Sequence, residues 1–197
     1  MILFGVVAAG VTACGDSGSD SSESASAPPI RTSCAAAAAN GSVISTEVRL
    51  DVPFTLQLPK LEDWQAKPVE GDDSVLRLVA WPAGRTGSAT ITLGVSAPRS
   101  ANISVVSAMA GDWKQWRNES VQVCGGGGNR FGGILPASDT RSVDLYREFL
   151  DFDYRAGEMV YPIKMRVDAP AADRDRYKSD IDTFVDGLQV VPTPPAG

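Results

Sequence analysis

Residues 143–168 read VDLYREFLDFDYRAGEMVYPIKMRVD, and this stretch decides the fold. Met159, Tyr161, Ile163, Met165 and Val167 fall on every second position, with Glu158, Lys164, Arg166 and Asp168 on alternate ones. Such period-two alternation belongs to a strand with one face on a core. Upstream, Leu150, Phe152 and Tyr154 alternate with Asp151 and Asp153. Arg155-Ala156-Gly157-Glu158 supplies a turn, so the two runs form an antiparallel hairpin. Val143 and Leu145 have the opposite parity to Leu150, and this change of phase predicts a bulge around Glu148. Pro162 lies on the polar face and cannot donate to a ladder. The second strand is therefore expected near an edge, or bulged there.

Downstream of the hairpin, Tyr177, Ile181, Phe184, Val185 and Leu188 recur at helical spacing, and Asp168 and Pro170 suit the start of that helix. Its other face, from Asp173 to Asp182, carries charges of both signs and reads as solvated. Upstream, Phe54, Leu56 and Leu58 alternate with polar residues in a strand that Pro59 ends, and Trp64 follows as an aromatic plug on a turn. Val75 to Trp81 is apolar on both faces except at Arg77, as in a central strand, and Ala89 to Val95 is a third strand. Ile103, Val106, Met109, Trp113 and Trp116 recur every three or four residues, which predicts a helix over Ala101 to Arg117. Val121 to Cys124 is a short strand. The run from Gly125 to Gly133 offers backbone amides of the kind that cradle phosphate. It lacks the Lys-Ser/Thr of a P-loop, however, and reads as a mobile turn. Strands, a helix, more strands and a terminal helix imply an α+β domain: an antiparallel β-sheet with helices packed on it.

The N-terminus has a different character. Ile2 to Ala13 is apolar and uncharged, too short for a membrane span and the right size for the apolar core of a signal peptide. It ends in Val11-Thr12-Ala13-Cys14, the pattern of a bacterial lipobox. Cys14 is thus the expected lipidation site, and it would hold the chain to the extracytoplasmic side of the cell membrane. The first basic residue is Arg31, which leaves open a start upstream of Met1. Gly15 to Pro29 is rich in Ser, Gly, Asp and Pro and cannot bury enough apolar surface to offset its ordering entropy. The expected organisation is a leader over residues 1–13, a lipidated Cys and tether over 14–29, one domain over 30–192 and a short tail over 193–197.

The chain has three cysteines. With Cys14 lipidated, Cys34 and Cys124 remain, and an oxidising compartment favours a disulfide between them. The chain has no histidine, which removes Ser-His-Asp and Cys-His catalysis and His-ligated zinc. No cofactor or metal is expected. The formal net charge of −6 argues against nucleic acid as a partner and against docking of the domain itself on anionic lipid.

The lipobox, the tether and this order of elements resemble the LpqN/LpqT family of actinobacterial lipoproteins. The strand Phe54 to Pro59 with Trp64 after it resembles the family's opening. Phe184-Val185-Asp186-Gly187-Leu188 resembles its close. The resemblance implies a PsbP-like α/β/α sandwich, non-catalytic and used for docking.

Three functions are weighed. The first is a non-enzymatic envelope lipoprotein that docks a protein partner. The second is a carrier of an apolar ligand such as a cell-wall lipid, for which Met109, Trp113, Trp116 and the Met159–Met165 face would line one continuous pocket. The third is a carboxylate-based glycan hydrolase, for which Glu148, Asp151 and Asp153 would converge in a cleft. Alternation alone explains those three carboxylates as a polar strand face, and docking ranks first.

Overall fold

The computed structural model describes residues 42–49, 51–69, 74–84, 89–100 and 112–193. In chain order the strands are β1 (Val43–Ser45), β2 (Phe54–Pro59), β3 (Trp64–Pro68), β4 (Ser74–Pro82), β5 (Thr90–Ser96) and β6 (Arg99–Ser100). They continue with β7 (Lys114–Val123), β8 (Gly126–Leu135), β9 (Leu145–Ala156), β10 (Met159–Pro170) and, after the helix α1 (Arg174–Gly187), β11 (Gln189–Pro192). One sheet has eight strands, running β3-β4-β5-β10-β9-β8-β7 with β6 beside β10; the other has three, β1-β2-β11. Every pairing is antiparallel.

The hairpin of β9 and β10 is the spine of the large sheet. Leu145 pairs with Pro170 and Ala156 with Met159 in one unbroken register, and Gly157-Glu158 makes a two-residue turn. The bulge expected at Glu148 is therefore absent. Tyr146, Glu148, Leu150 and Phe152 share one face and are all buried, so Glu148 is in phase with the core. The apparent change of phase came from Val143, which precedes the strand and is exposed, and from Leu145, a half-buried residue on the face of β9 opposite Leu150. The second strand, β10, is not at an edge: it lies between β5 and β9. Pro162 is tolerated because it falls where β10 changes neighbour. Val160 faces Arg99 of β6, whereas Ile163 begins the pairing with β5.

On the inner face of the large sheet, Leu78, Ile91, Leu93, Ile163 and Met165 are wholly buried. Helix α1, entered through a short 3-10 turn at Ala171–Asp173, presents Tyr177, Ile181, Phe184 and Val185 to this core. Asp168, expected at the start of the helix, instead lies in β10 and pairs with Arg147 at 2.5 Å and Arg166 at 3.0 Å. Trp64 does plug the core: its ring meets Phe184 edge-on at 4.9 Å and Tyr177 at 6.0 Å, and its Nε1 donates to Asp180 at 2.9 Å. Burying an aromatic or aliphatic side chain of this size stabilises by about 1.5–3 kcal/mol. One apolar cluster runs from β2 through the large sheet to α1.

Two expectations for the middle of the chain are corrected. Residues 101–111, with Met109, lie outside the described residues, but Lys114–Val123 is a strand and not the end of a helix. Trp113 and Trp116 mimic helical spacing because β7 is bulged between Lys114 and Arg117, with Gln115 at φ 52°. One extra residue in a strand shifts its parity, so positions three apart come to share a side. The glycine run is also a strand. Its turn is only Cys124-Gly125, with φ of 51° and 77°, the pair of positive values that a tight two-residue hairpin loop requires. The rest is β8, pressed between β7 and β9: a Cβ on Gly128 would lie 2.6 Å from the Asp151 carbonyl oxygen and 2.7 Å from the Phe152 Cβ.

The class expected from the element order is thus only partly realised. Antiparallel sheet dominates, and among the described residues α1 is the single α-helix, on one side of the large sheet, in place of helical layers on both. No helix of the described residues is long and apolar enough to cross a membrane.

Candidate functional site

The two faces of β7–β9 offer different chemistry. On the outer face, away from α1, an aromatic row crosses three strands. Trp113 and Trp116 lie 5.1 Å apart between ring centroids, Trp116 and Phe131 5.9 Å, and Phe131 stacks on Phe149 at 5.2 Å. The Lys164 ammonium caps the row 5.6 Å from the Phe149 ring. Phe131 and Phe149 are buried, whereas Trp116 is 44% exposed at the edge strand of the sheet. Trp113 Nε1 is buried and has no acceptor among the described residues.

Next to this row the outer face opens into a groove of about 400 Å³. Gly127 and Gly128 leave it without side chains on one flank. Asp151 pairs with Lys164 at 3.2 Å, and Asp153 with Arg99 at 2.7 Å. Burial pushes the Asp151 carboxyl above its usual range, and the nearby Lys164 only partly opposes this. Asp151 Oδ1 and Arg99 Nε are both buried without a hydrogen-bond partner among the described residues.

The inner face carries an ion network where apolar side chains stand elsewhere. Glu148, 1% exposed, takes hydrogen bonds from Arg117 Nη2 at 2.8 Å, from Arg130 Nε and from the Tyr146 hydroxyl. Arg130 continues to Asp182 on α1 at 2.9 Å, and Lys178 reaches Asp182 from the preceding helical turn at 2.5 Å. Burial, together with the negative charge of Glu148, pushes the Tyr146 hydroxyl up to about 12, which keeps it a donor at neutral pH. Burial works to raise the Asp182 carboxyl, but the bonds from Lys178 and Arg130 outweigh it and hold it below its ordinary value. The network ties β7, β8 and β9 to α1.

The residues proposed for a ligand pocket are thus divided. Trp113 and Trp116 come together, but on the outer face; Met165 is fully buried on the inner face. Met159, 38% exposed, stands at the β9–β10 turn. The three carboxylates considered for hydrolysis do not converge either. Glu148 points inward, while Asp151 and Asp153 point outward, each into its own ion pair. Cys14 and Cys34 lie outside the described residues; Cys124 is half-buried in the β7–β8 turn. The inner network was missed from sequence, although a signal existed: Glu148 occupies an apolar-phase position of β9.

The antiparallel sheet with α1 on its inner face has a counterpart among solved structures. LpqN of Mycobacterium tuberculosis, described as involved in cell envelope biogenesis, superposes with a TM-score of 0.56 at 14% identity, covering 77% of this chain and 93% of that one. The cyanobacterial PsbP (CyanoP) of Synechocystis sp. PCC 6803 aligns with a TM-score of 0.45 at 12% identity, over 78% of this chain and 95% of that one. No family model and no curated protein matches the sequence.

Proposed function

We propose that this chain is a non-enzymatic lipoprotein of the cell envelope, anchored through Cys14, whose domain docks a protein partner on the outer face of its large sheet. One observation carries this reading: the aromatic row includes the exposed Trp116 on the ten-residue strand β7, which is at the edge of the sheet among the described residues. Exposed aromatic side chains with a polar handle are typical anchors of protein interfaces, and an edge strand has backbone groups to share. The separation of Trp113 and Trp116 from Met165, on opposite sheet faces, speaks against the carrier. The scattering of Glu148, Asp151 and Asp153 speaks against the hydrolase. The lipobox and the envelope role of LpqN support the location.

Native mass spectrometry of the chain, secreted through an oxidising periplasm, separates docking from carriage. Docking predicts a bare protein; an apolar mass that survives purification and leaves on denaturation would replace docking with carriage. The same spectrum shows about 2 Da less than the reduced chain if Cys34 and Cys124 are bridged. A photo-crosslinking side chain at position 116 should then give a discrete protein adduct in the native envelope, and one at Thr183, on the exposed side of α1, should not. Equal labelling from both positions removes the outer face as the docking surface.

A further inference from the structure

We infer that Arg117, Arg174 and Lys178 form a binding site for a small oxyanion, a carboxylate or phosphate group, in the cleft where β7 and β9 meet the start of α1. The cleft is closed at its base by Tyr146, Ile181 and Asp182 and has about 10 Å³ of free space, room for roughly one water. A ligand would place one oxygen inside and keep the rest of its group outside.

Charge is the first reason. Four cations meet here, Arg117, Arg130, Arg174 and Lys178, against two carboxylates, Glu148 and Asp182. Both carboxylates are already shared: Glu148 serves Arg117 and Arg130, and Asp182 serves Arg130 and Lys178. The local excess is positive in a chain whose net charge is −6. Arg117 and Arg174 both approach the Tyr146 ring, their guanidinium carbons 5.9 and 5.0 Å from its centroid. Two like charges are thus held over one ring, and of the two only Arg117 has a carboxylate partner among the described residues.

Unspent donors are the second reason. Among the described residues Arg117 uses only Nη2, toward Tyr146 at 2.5 Å and Glu148 at 2.8 Å, which leaves Nε and Nη1 available. Arg174 makes one long bond, 3.4 Å to Gln115 Oε1, and forms no ion pair among the described residues. Lys178 commits one of its three protons. Planar guanidinium forks beside an ammonium suit an oxyanion, which gains charge-assisted bonds from each. The site is built as well as charged. Buried Glu148 fixes Arg117 from below, and the β7 bulge sets Gln115, at φ 52°, against Arg174. It lies on the inner side of β7, separate from the aromatic row, and does not depend on the docking reading.

The test is isothermal titration calorimetry of the full chain at low ionic strength, with inorganic phosphate and, separately, acetate. Saturable one-site binding of either anion is expected, and which one binds more tightly tells a phosphate from a carboxylate source. Arg174→Gln and Lys178→Gln should each weaken it about ten-fold, the scale of one charge-assisted hydrogen bond. Arg176→Gln serves as control, because Arg176 sits on the same helix over the Tyr177 ring and outside the cleft. It should leave affinity unchanged. No saturable heat from either anion overturns the site, as does a loss in Arg176→Gln equal to that in Arg174→Gln. Unchanged melting of the anion-free variants shows that the loss is of binding and not of folding.

Discussion

The helix-covered face of the large sheet has two unlike ends. Toward β4 and β5 it is aliphatic: Leu78, Ile91 and Leu93 are fully buried, and Phe184 of α1 seats beside Trp64. Toward β7, β8 and β9 it is ionic: Glu148, Arg117, Arg130 and Asp182 occupy the layer where hydrophobic side chains would otherwise meet the helix. One end holds α1 by shape and dispersion, which are short-ranged and not directional. The other holds it by charge pairs whose geometry is specific and whose members cannot be removed singly without stranding a partner.

Each end can be broken by itself. The largest loss is expected from Phe184→Ala, about 3–5 kcal/mol, since a fully buried aromatic ring leaves a cavity that the sheet cannot fill. Denaturant unfolding should show a lower midpoint with an unchanged slope; a loss below about 1 kcal/mol would mean that the aliphatic end does not hold the helix. Glu148→Ala comes next, at about 2–3 kcal/mol. The cost stays under that of a fully buried pair because the Arg117 side chain is 37% exposed and Arg130 20%, and both can turn to water.

The glycine strand sharpens the comparison further. Gly128→Ala should cost about 1–3 kcal/mol, because its Cβ would strike the β9 backbone. Gly127→Ala, whose Cβ would meet nothing within 4 Å, should change stability by no more than about 0.5 kcal/mol. Equal effects at the two positions would show that β8 does not sit against β9 in this register.

The smallest effects concern pH, and the two faces are expected to respond with opposite sign. The carboxyl of Asp182 titrates lower in the folded chain than in the unfolded one, so the unfolded chain takes up its proton first. Its contribution to stability is complete above the unfolded value of about 3.8 and is lost as pH falls through the lowered value. Asp151 on the outer face is raised, so its contribution is complete below about 3.8 and is lost as pH rises through its folded value. In thermal melts across acid pH, Asp182→Asn should remove part of the acid loss of stability, and Asp151→Asn should remove a gain. Parallel curves for both variants and the parent would refute the assignment.

Much of the fold is legible in the chain. The hairpin of β9 and β10, the strands β2 and β5, and the stripe of α1 announce themselves because burial of one side writes its period into the residues, and β4 does so as an apolar run. β7 and β8 do not. β7 is mostly exposed and polar, and β8 begins as a glycine run, so neither carries an apolar alternation; β8 is placed by its pairing with β9, and β7 by its pairing with β8. β11 is four residues long and gains its place from β2, by pairing Val190 with Leu56. The bulge at Gln115 imitates helical spacing, and spacing alone cannot separate the two.

By itself, then, the sequence determined the antiparallel hairpin, the apolar faces, the terminal helix and the exclusion of histidine chemistry, because these follow from residue type and local period. Only the tertiary structure decided which face each charge occupies and which charges meet. Arg117, Arg130, Glu148, Arg174 and Asp182 come from four separate elements, and their meeting is set by strand order and helix placement, which no local pattern encodes.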